Sequence, residues 1–297
     1  MVQDMLLFDW GTYNSLSTLA KAATLGMKLT EIPPADFSRR SRGPEYFESY
    51  REFAKKAFTT VTAHGPYYNV VSDSKLVRNR VLKAMKAAIR NAALAGAEVF
   101  NLHLGWKVYG GDKDVELAAE FIKELLKETP ENMYVSLETT YTRRQLGSID
   151  EIKAIIEAVG DERVIISLQL ENVFMYEFHI DEHGNFHQAD REATKDFWLR
   201  ILKKALPLSK GFLSLRFAQV TGIYFGRRLL KKRVPLGKGY PSLTPLAQAL
   251  AEFMVKEVRE KELPLRMHLI YTGTTETKYE DTITLYAEIM KQVVQHI

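Results

Sequence analysis

A closed α/β barrel of the (β/α)8 type, one domain over residues 1–297, is the fold that this sequence predicts. Three observations carry the prediction. Eight short apolar runs alternate with eight stretches whose apolar residues recur at helical spacing. No composition break or low-complexity segment interrupts them, and eight such units in 297 residues suit a closed barrel. No glycine-rich phosphate loop of the G-x-G-x-x-G or G-x-x-x-x-G-K type occurs, so an open nucleotide-binding sheet has no support.

The elements follow in order. Met5–Asp9 reads as strand one and Leu16–Thr24 as its helix. Met27–Ile32 is strand two, ended by Pro33-Pro34. The basic loop Arg39–Gly43 precedes a helix over Pro44–Lys56. Thr60–Ala63 is strand three and delivers His64 before the Gly65-Pro66 turn. Asp73 or Ser74 caps a long helix with Val77, Val81, Met85, Ala88, Ile89 and Ala92 at helical spacing. Strand four, from Val99, delivers His103. After a helix marked by Val115, Ala118, Ala119, Ile122 and Leu125, strand five (Tyr134–Glu138) delivers Glu138. Ile149–Val159 is helical, with Gly160 beyond its end. Val164–Leu168 is strand six. The segment 176–188 alternates around Gly184-Asn185 and reads as an inserted β-hairpin. A helix over Glu192–Leu206, strand seven (Phe212–Phe217) and a long loop (Thr221–Tyr240) come next. A helix (Pro245–Arg259), strand eight (Leu265–Ile270) and a helix over Glu276–Val294 complete the chain.

Composition narrows the chemistry. The chain is 46% apolar and 26% charged, enough for a sizeable core. It has no cysteine, which excludes disulfides, thiolate ligands and a cysteine nucleophile and fits a reducing cytoplasm. A net charge of +4 implies no polyanion partner unless the charge is clustered. No basic-then-apolar opening suggests a signal peptide, and no apolar run approaches the roughly 20 residues of a membrane span, so no membrane partner is expected.

His64, His103 and Glu138 end three successive strands on the face where barrel active sites lie. Two imidazoles and a carboxylate suit zinc, manganese or iron with positions left open. The plainer alternative is three polar residues held by hydrogen bonds. Arg227, Arg228, Lys231, Lys232, Arg233 and Lys238 place six cations in 12 residues, a phosphate-holding loop or a solvated one. His179 and His187 face each other in the expected hairpin and are either exposed or a metal pair. Tyr67, Tyr68, Trp106, Tyr109 and Tyr141 lie just beyond strand ends and either stack on a base or sugar or simply pack.

His64-Gly65-Pro66-Tyr67-Tyr68-Asn69-Val70 resembles the His-x-x-Tyr-x-x-Asn segment after strand three of endonuclease IV, a branch of the xylose isomerase-like TIM-barrel superfamily, with Asn69 one place ahead of the family's asparagine. Asn101-Leu102-His103-Leu104-Gly105 is similar to its strand-four His-Pro-Gly segment, and Leu137-Glu138-Thr139-Thr140 to its Glu-Asn-Thr. The resemblance covers nearly the whole chain. It implies a metal on His64, His103 and Glu138, with Tyr67 and Asn69 beside the DNA or phosphate. The family's other ligand positions fall on Gln169, Asn172, Lys231, Arg233 and His268. Cations there disfavour a three-metal cluster. The resemblance therefore implies one divalent ion, zinc or manganese. Glu138 and His268 stand as catalytic candidates, while Arg227, Arg228, Lys231, Arg233 and Lys238 stand as phosphate contacts.

Three functions follow as expectations. One is a metal-dependent phosphodiester hydrolase resembling an AP endonuclease, with DNA as partner. Another is a sugar isomerase or epimerase, taking a small sugar or phosphate ligand. The third is a barrel that binds nucleic acid or another partner without catalysis.

Overall fold

The computed structural model describes residues 6–38, 42–225 and 228–295. Its strands are β1 (Leu6–Tyr13), β2 (Leu29–Ile32), β3 (Thr60–His64), β4 (Val99–Leu102), β5 (Tyr134–Glu138), β6 (Val164–Gln169), β7 (Phe212–Phe217), β8 (Gln219–Phe225), β9 (Arg228–Val234) and β10 (Leu265–Tyr271). Eight of them, all but β8 and β9, pair in parallel and close with β10 against β1. Helices run between the barrel strands, as the alternation predicts. β1 extends well past the expected Asp9 because Gly11 lets β2 approach. A Cβ at that glycine would meet the Leu29 carbonyl oxygen at 1.9 Å.

The barrel interior is built in levels, because residues two apart along a strand share a face. The floor is Val99, Ile165 and Phe212, a small apolar cluster with Tyr134 against it. Two residues further on come Asn101, Ser136, Ser167 and Ser214, all buried and polar. Two residues beyond those, the mouth carries His103, Glu138, Gln169 and Arg216. The main core lies outside this column, between the strands and the surrounding helices.

Two expectations are corrected. The segment 176–188 is not a hairpin. It is covered by helices Leu170–Glu177, Ile180–His183 and Phe186–Glu192. Phe174 and Phe178 fall four apart and pack on the core, a helical rather than an alternating pattern. Gly184 stops one helix in the left-handed region at φ 67°, and the Asn185 side chain caps the next by accepting from Gln188 N. The expected loop Thr221–Tyr240 holds the actual ribbon. β8 and β9 pair antiparallel, from Gln219 opposite Val234 to Phe225 opposite Arg228. Dense charge in this segment hides a period of two: Lys231 and Arg233 share one face and Lys232 takes the other. Arg227 and the side chain of Arg228 lie outside the described residues, as do Arg39–Ser41 of the basic loop.

Candidate metal centre at the barrel mouth

β3 and β5 end on His64 and Glu138, and β4 ends one residue before His103. The three side chains meet. His64 Nε2 lies 3.3 Å from Glu138 Oε2, and His103 Nε2 lies 3.3 Å from Glu138 Oε1. No two of the three donor atoms are more than 4.8 Å apart. Among the described residues, no other group of three such side chains comes this close.

The surroundings fit a metal. His64 Nδ1 sits 2.8 Å from the Gly65 carbonyl oxygen, so that nitrogen donates and Nε2 is left as the free donor atom. With Nδ1 committed in this way, Nε2 is the ring atom that faces the Glu138 carboxylate and could ligate an ion held between them. Each ring nitrogen lies 3.3 Å from one carboxylate oxygen, and the donor atoms stay within 4.8 Å of one another, close enough to share one ion. Asn101 orients the carboxylate by donating to Oε2, and Ser136 Oγ holds Asn101 Oδ1 at 2.8 Å. Burial alone would raise the Glu138 carboxyl. His103, Arg216 and His64 outweigh burial and hold it well below the usual carboxylate range. Burial pushes the His103 imidazole down to about 4 against the pull of Glu138, leaving it neutral and able to ligate.

The opposite side of the mouth carries fixed positive charge. Arg216 is 3% exposed and grips Glu31 through two contacts of 2.6 Å. Its Nε lies 3.1 Å from both Glu138 Oε2 and Gln169 Oε1. Burial opposes a charged guanidinium, but Glu31 and Glu138 more than compensate. Arg216 and Glu31 carry no role in the sequence analysis. Their signal was a lone charge inside each of two otherwise uncharged, buried strands, Phe212–Phe217 and Leu29–Ile32.

A cleft of about 380 Å³ opens beside Glu138 and His103. Tyr67, Tyr68, Trp106 and Tyr141 form its aromatic wall, and Asn172, Lys231 and Arg233 line it from the ribbon side. Tyr67 covers both imidazoles, with ring centroids 5.1 Å from His64 and 5.0 Å from His103. Lys231 Nζ lies 2.5 Å from Asn172 Oδ1 and 3.6 Å from Glu171. Burial lowers this ammonium's pKa, and Glu171 resists the shift. Asn69 also lines the cleft, with its Oδ1 buried against Gly105 and without a hydrogen-bond partner.

Other expected site residues lie elsewhere. His268 sits one level below the mouth, with Nε2 2.7 Å from Ser214 Oγ and its ring edge-on to Phe212. Burial, then Arg216 and Arg266, push it down to about 3, so it is neutral and lines neither cavity at the mouth. Gln169 donates to Glu171 and Thr272 and faces Arg216, not a metal. Lys238 is exposed in the turn after the ribbon. Tyr109 is exposed and lies outside the cleft. His179 pairs with Arg143 and Glu182, and His187 is exposed, so the two form no metal pair.

A family model described as xylose isomerase-like TIM barrel matches residues 19–262. The chain belongs to this family. The xylose isomerase-like barrel has a relative in Methanocaldococcus jannaschii, the "Uncharacterized protein MJ1455", 41% identical over 295 residues and covering 99% of this chain and 93% of the relative. Among solved structures, a xylose isomerase domain protein from Planctomyces limnophilus superposes with a TM-score of 0.66 at 16% identity, covering 97% of this chain and 99% of that one. Endonuclease IV from Thermus thermophilus gives 0.65 at 15%, covering 95% and 99%. A D-tagatose 3-epimerase-like protein gives 0.65 at 15%, covering 97% and 99%. At these identities the structures speak for the fold of the xylose isomerase-like barrel alone. No described helix is long and apolar enough to cross a membrane.

Proposed function

We propose that this xylose isomerase-like barrel is a metal-dependent phosphodiester hydrolase with one metal site. The observation that carries the reading is Lys231 and Arg233 facing the same cleft as His103 and Glu138. Charge supports it. Glu31, Glu138 and Glu171 balance Arg216, Lys231 and Arg233, so one divalent cation leaves about two positive charges, suited to a phosphate.

His64, His103 and Glu138 would hold the ion, which when bound supplies a Lewis acid and lowers the pKa of water. Arg233 and Lys231 hold the phosphate oxygens, and Arg216 keeps Glu138 ionised and in place. A water oxygen bonds to phosphorus while the P–O bond to one arm breaks. The departing oxygen leaves with the electron pair and takes up a proton. Tyr68 and Trp106 offer exposed rings on which a base or aromatic arm stacks. The cleft volume suits a small-molecule-sized unit, so a polymer such as DNA would enter one unit at a time. The neighbour titled endonuclease IV favours DNA among such polymers. Against the epimerase reading, the end of β10 offers Ile270 and Thr272 rather than a second base opposite Glu138.

Elemental analysis and a phosphodiesterase assay test the reading together. About one ion per chain is expected, with cleavage of bis(p-nitrophenyl) phosphate or an abasic-site duplex that EDTA stops and Glu138→Ala removes. No cleavage with zinc, manganese, cobalt or magnesium would overturn it.

A further inference from the structure

A second cavity of about 230 Å³ lies on the other side of Tyr67 and Arg233, the two residues that line both chambers. The metal triad is divided between them: His103 and Glu138 face the larger chamber, and His64 faces the smaller. Arg233 stands at the shared wall, half-buried, and its guanidinium makes no hydrogen bond or ion pair to any described residue. A guanidinium so placed and so free is a seat for an anion between the chambers.

The chambers differ in chemistry. The larger has three further aromatic rings and Lys231, and suits a planar arm. The smaller is walled by Tyr13, Pro33, Pro34 and Ala35. Its charged groups, Glu31 and Arg216, are consumed by each other through both oxygens and both terminal nitrogens. Apart from Arg233 in the shared wall, it therefore offers mainly apolar wall and no unpaired charge. At about 230 Å³ it falls below the volume of a pocket for a drug-sized ligand.

We propose that the chamber at Pro33–Ala35 is a second subsite that takes a small uncharged arm of an ester whose phosphate rests between Arg233 and the triad. The inference rests on the phosphodiester reading for its chemistry, but a binding measurement tests it separately. Calorimetry on manganese-loaded protein would compare phenyl phosphate with methyl, ethyl and propyl phenyl phosphates. Affinity relative to phenyl phosphate should rise about threefold per methylene until the chamber is full. The exposed Ala35 tolerates a larger side chain, and Ala35→Trp should flatten the series. A flat series in the wild-type protein, or the same slope in Ala35→Trp, overturns the subsite. A rising series without hydrolysis of any ester supports the subsite and overturns the hydrolase reading. Hydrolysis with a flat series does the reverse.

Discussion

The two halves of the barrel mouth solve the same electrostatic problem differently. On the β3–β5 side, His64, His103 and Glu138 bring donor atoms together in a cluster that could hold a cation. On the β6–β7 side, Arg216 supplies the cation covalently, chelated by Glu31 and Glu138 as an ion would be. Glu138 touches both halves and is the hinge of the comparison. A carboxylate with 2% exposure must have its charge met on every side, by ion or by guanidinium.

The strongest way to break the comparison is Glu138→Ala. Bound metal should fall from about one ion per chain to none by elemental analysis. Stability should drop by about 3–5 kcal/mol in urea unfolding, because Arg216 loses a buried partner. A variant that keeps its metal would show that the two imidazoles suffice.

Arg216→Met tests the other half. It leaves Glu31 and Glu138 converging on a space without charge. The metal-free variant should be destabilised by about 3–5 kcal/mol, recover on adding a divalent cation, and hold two ions instead of one. Unchanged stoichiometry would show that the guanidinium does not stand where an ion could.

Arg233→Ala should weaken phosphate-ester binding about 10- to 100-fold, the range for one charge-assisted contact, with metal content unchanged. Equal affinities by calorimetry would remove the ribbon from the site.

A pH-dependent effect sharpens the claim that the Arg216 side has no room for further positive charge. His268, one level below, is pushed from 6.5 down to about 3. Between those values the unfolded chain binds the proton and the folded chain does not, so stability falls on acidification. Its contribution is intact above pH 6.5 and is lost at up to about 1.4 kcal/mol per pH unit as pH falls toward 3. His268→Gln should flatten that slope in urea unfolding at pH 7, 6, 5 and 4.

The half with the His64, His103 and Glu138 donors was legible in the sequence because its signals are local. His64, His103 and Glu138 each close an apolar run just ahead of a turn, and the rule for barrel strand ends supplies their meeting place. The cationic half was not. Glu31 and Arg216 are 185 positions apart, and each reads alone as an oddity within a strand. His268 has the right residue type on the right strand but the wrong depth, since two residues of register separate the mouth from the level beneath it. The segment 176–188 reads as a hairpin and is helical, while the segment Thr221–Tyr240 reads as a loop and holds most of the ribbon. Gly184-Asn185 suits either a turn or a helix end, and which face packs on Phe174 and Phe178 chooses between them.

By itself the sequence determined the barrel, the order of its elements and the three donors that end adjacent strands. Backbone periodicity and turn chemistry act over a few residues and are written in neighbouring letters. The tertiary structure alone decided which buried charges meet, that Arg216 stands opposite the triad, and that the ribbon carries Lys231 and Arg233 over the mouth. Closing the barrel brings distant strands within contact distance, and a buried charge is tolerable only beside the partner that closure delivers.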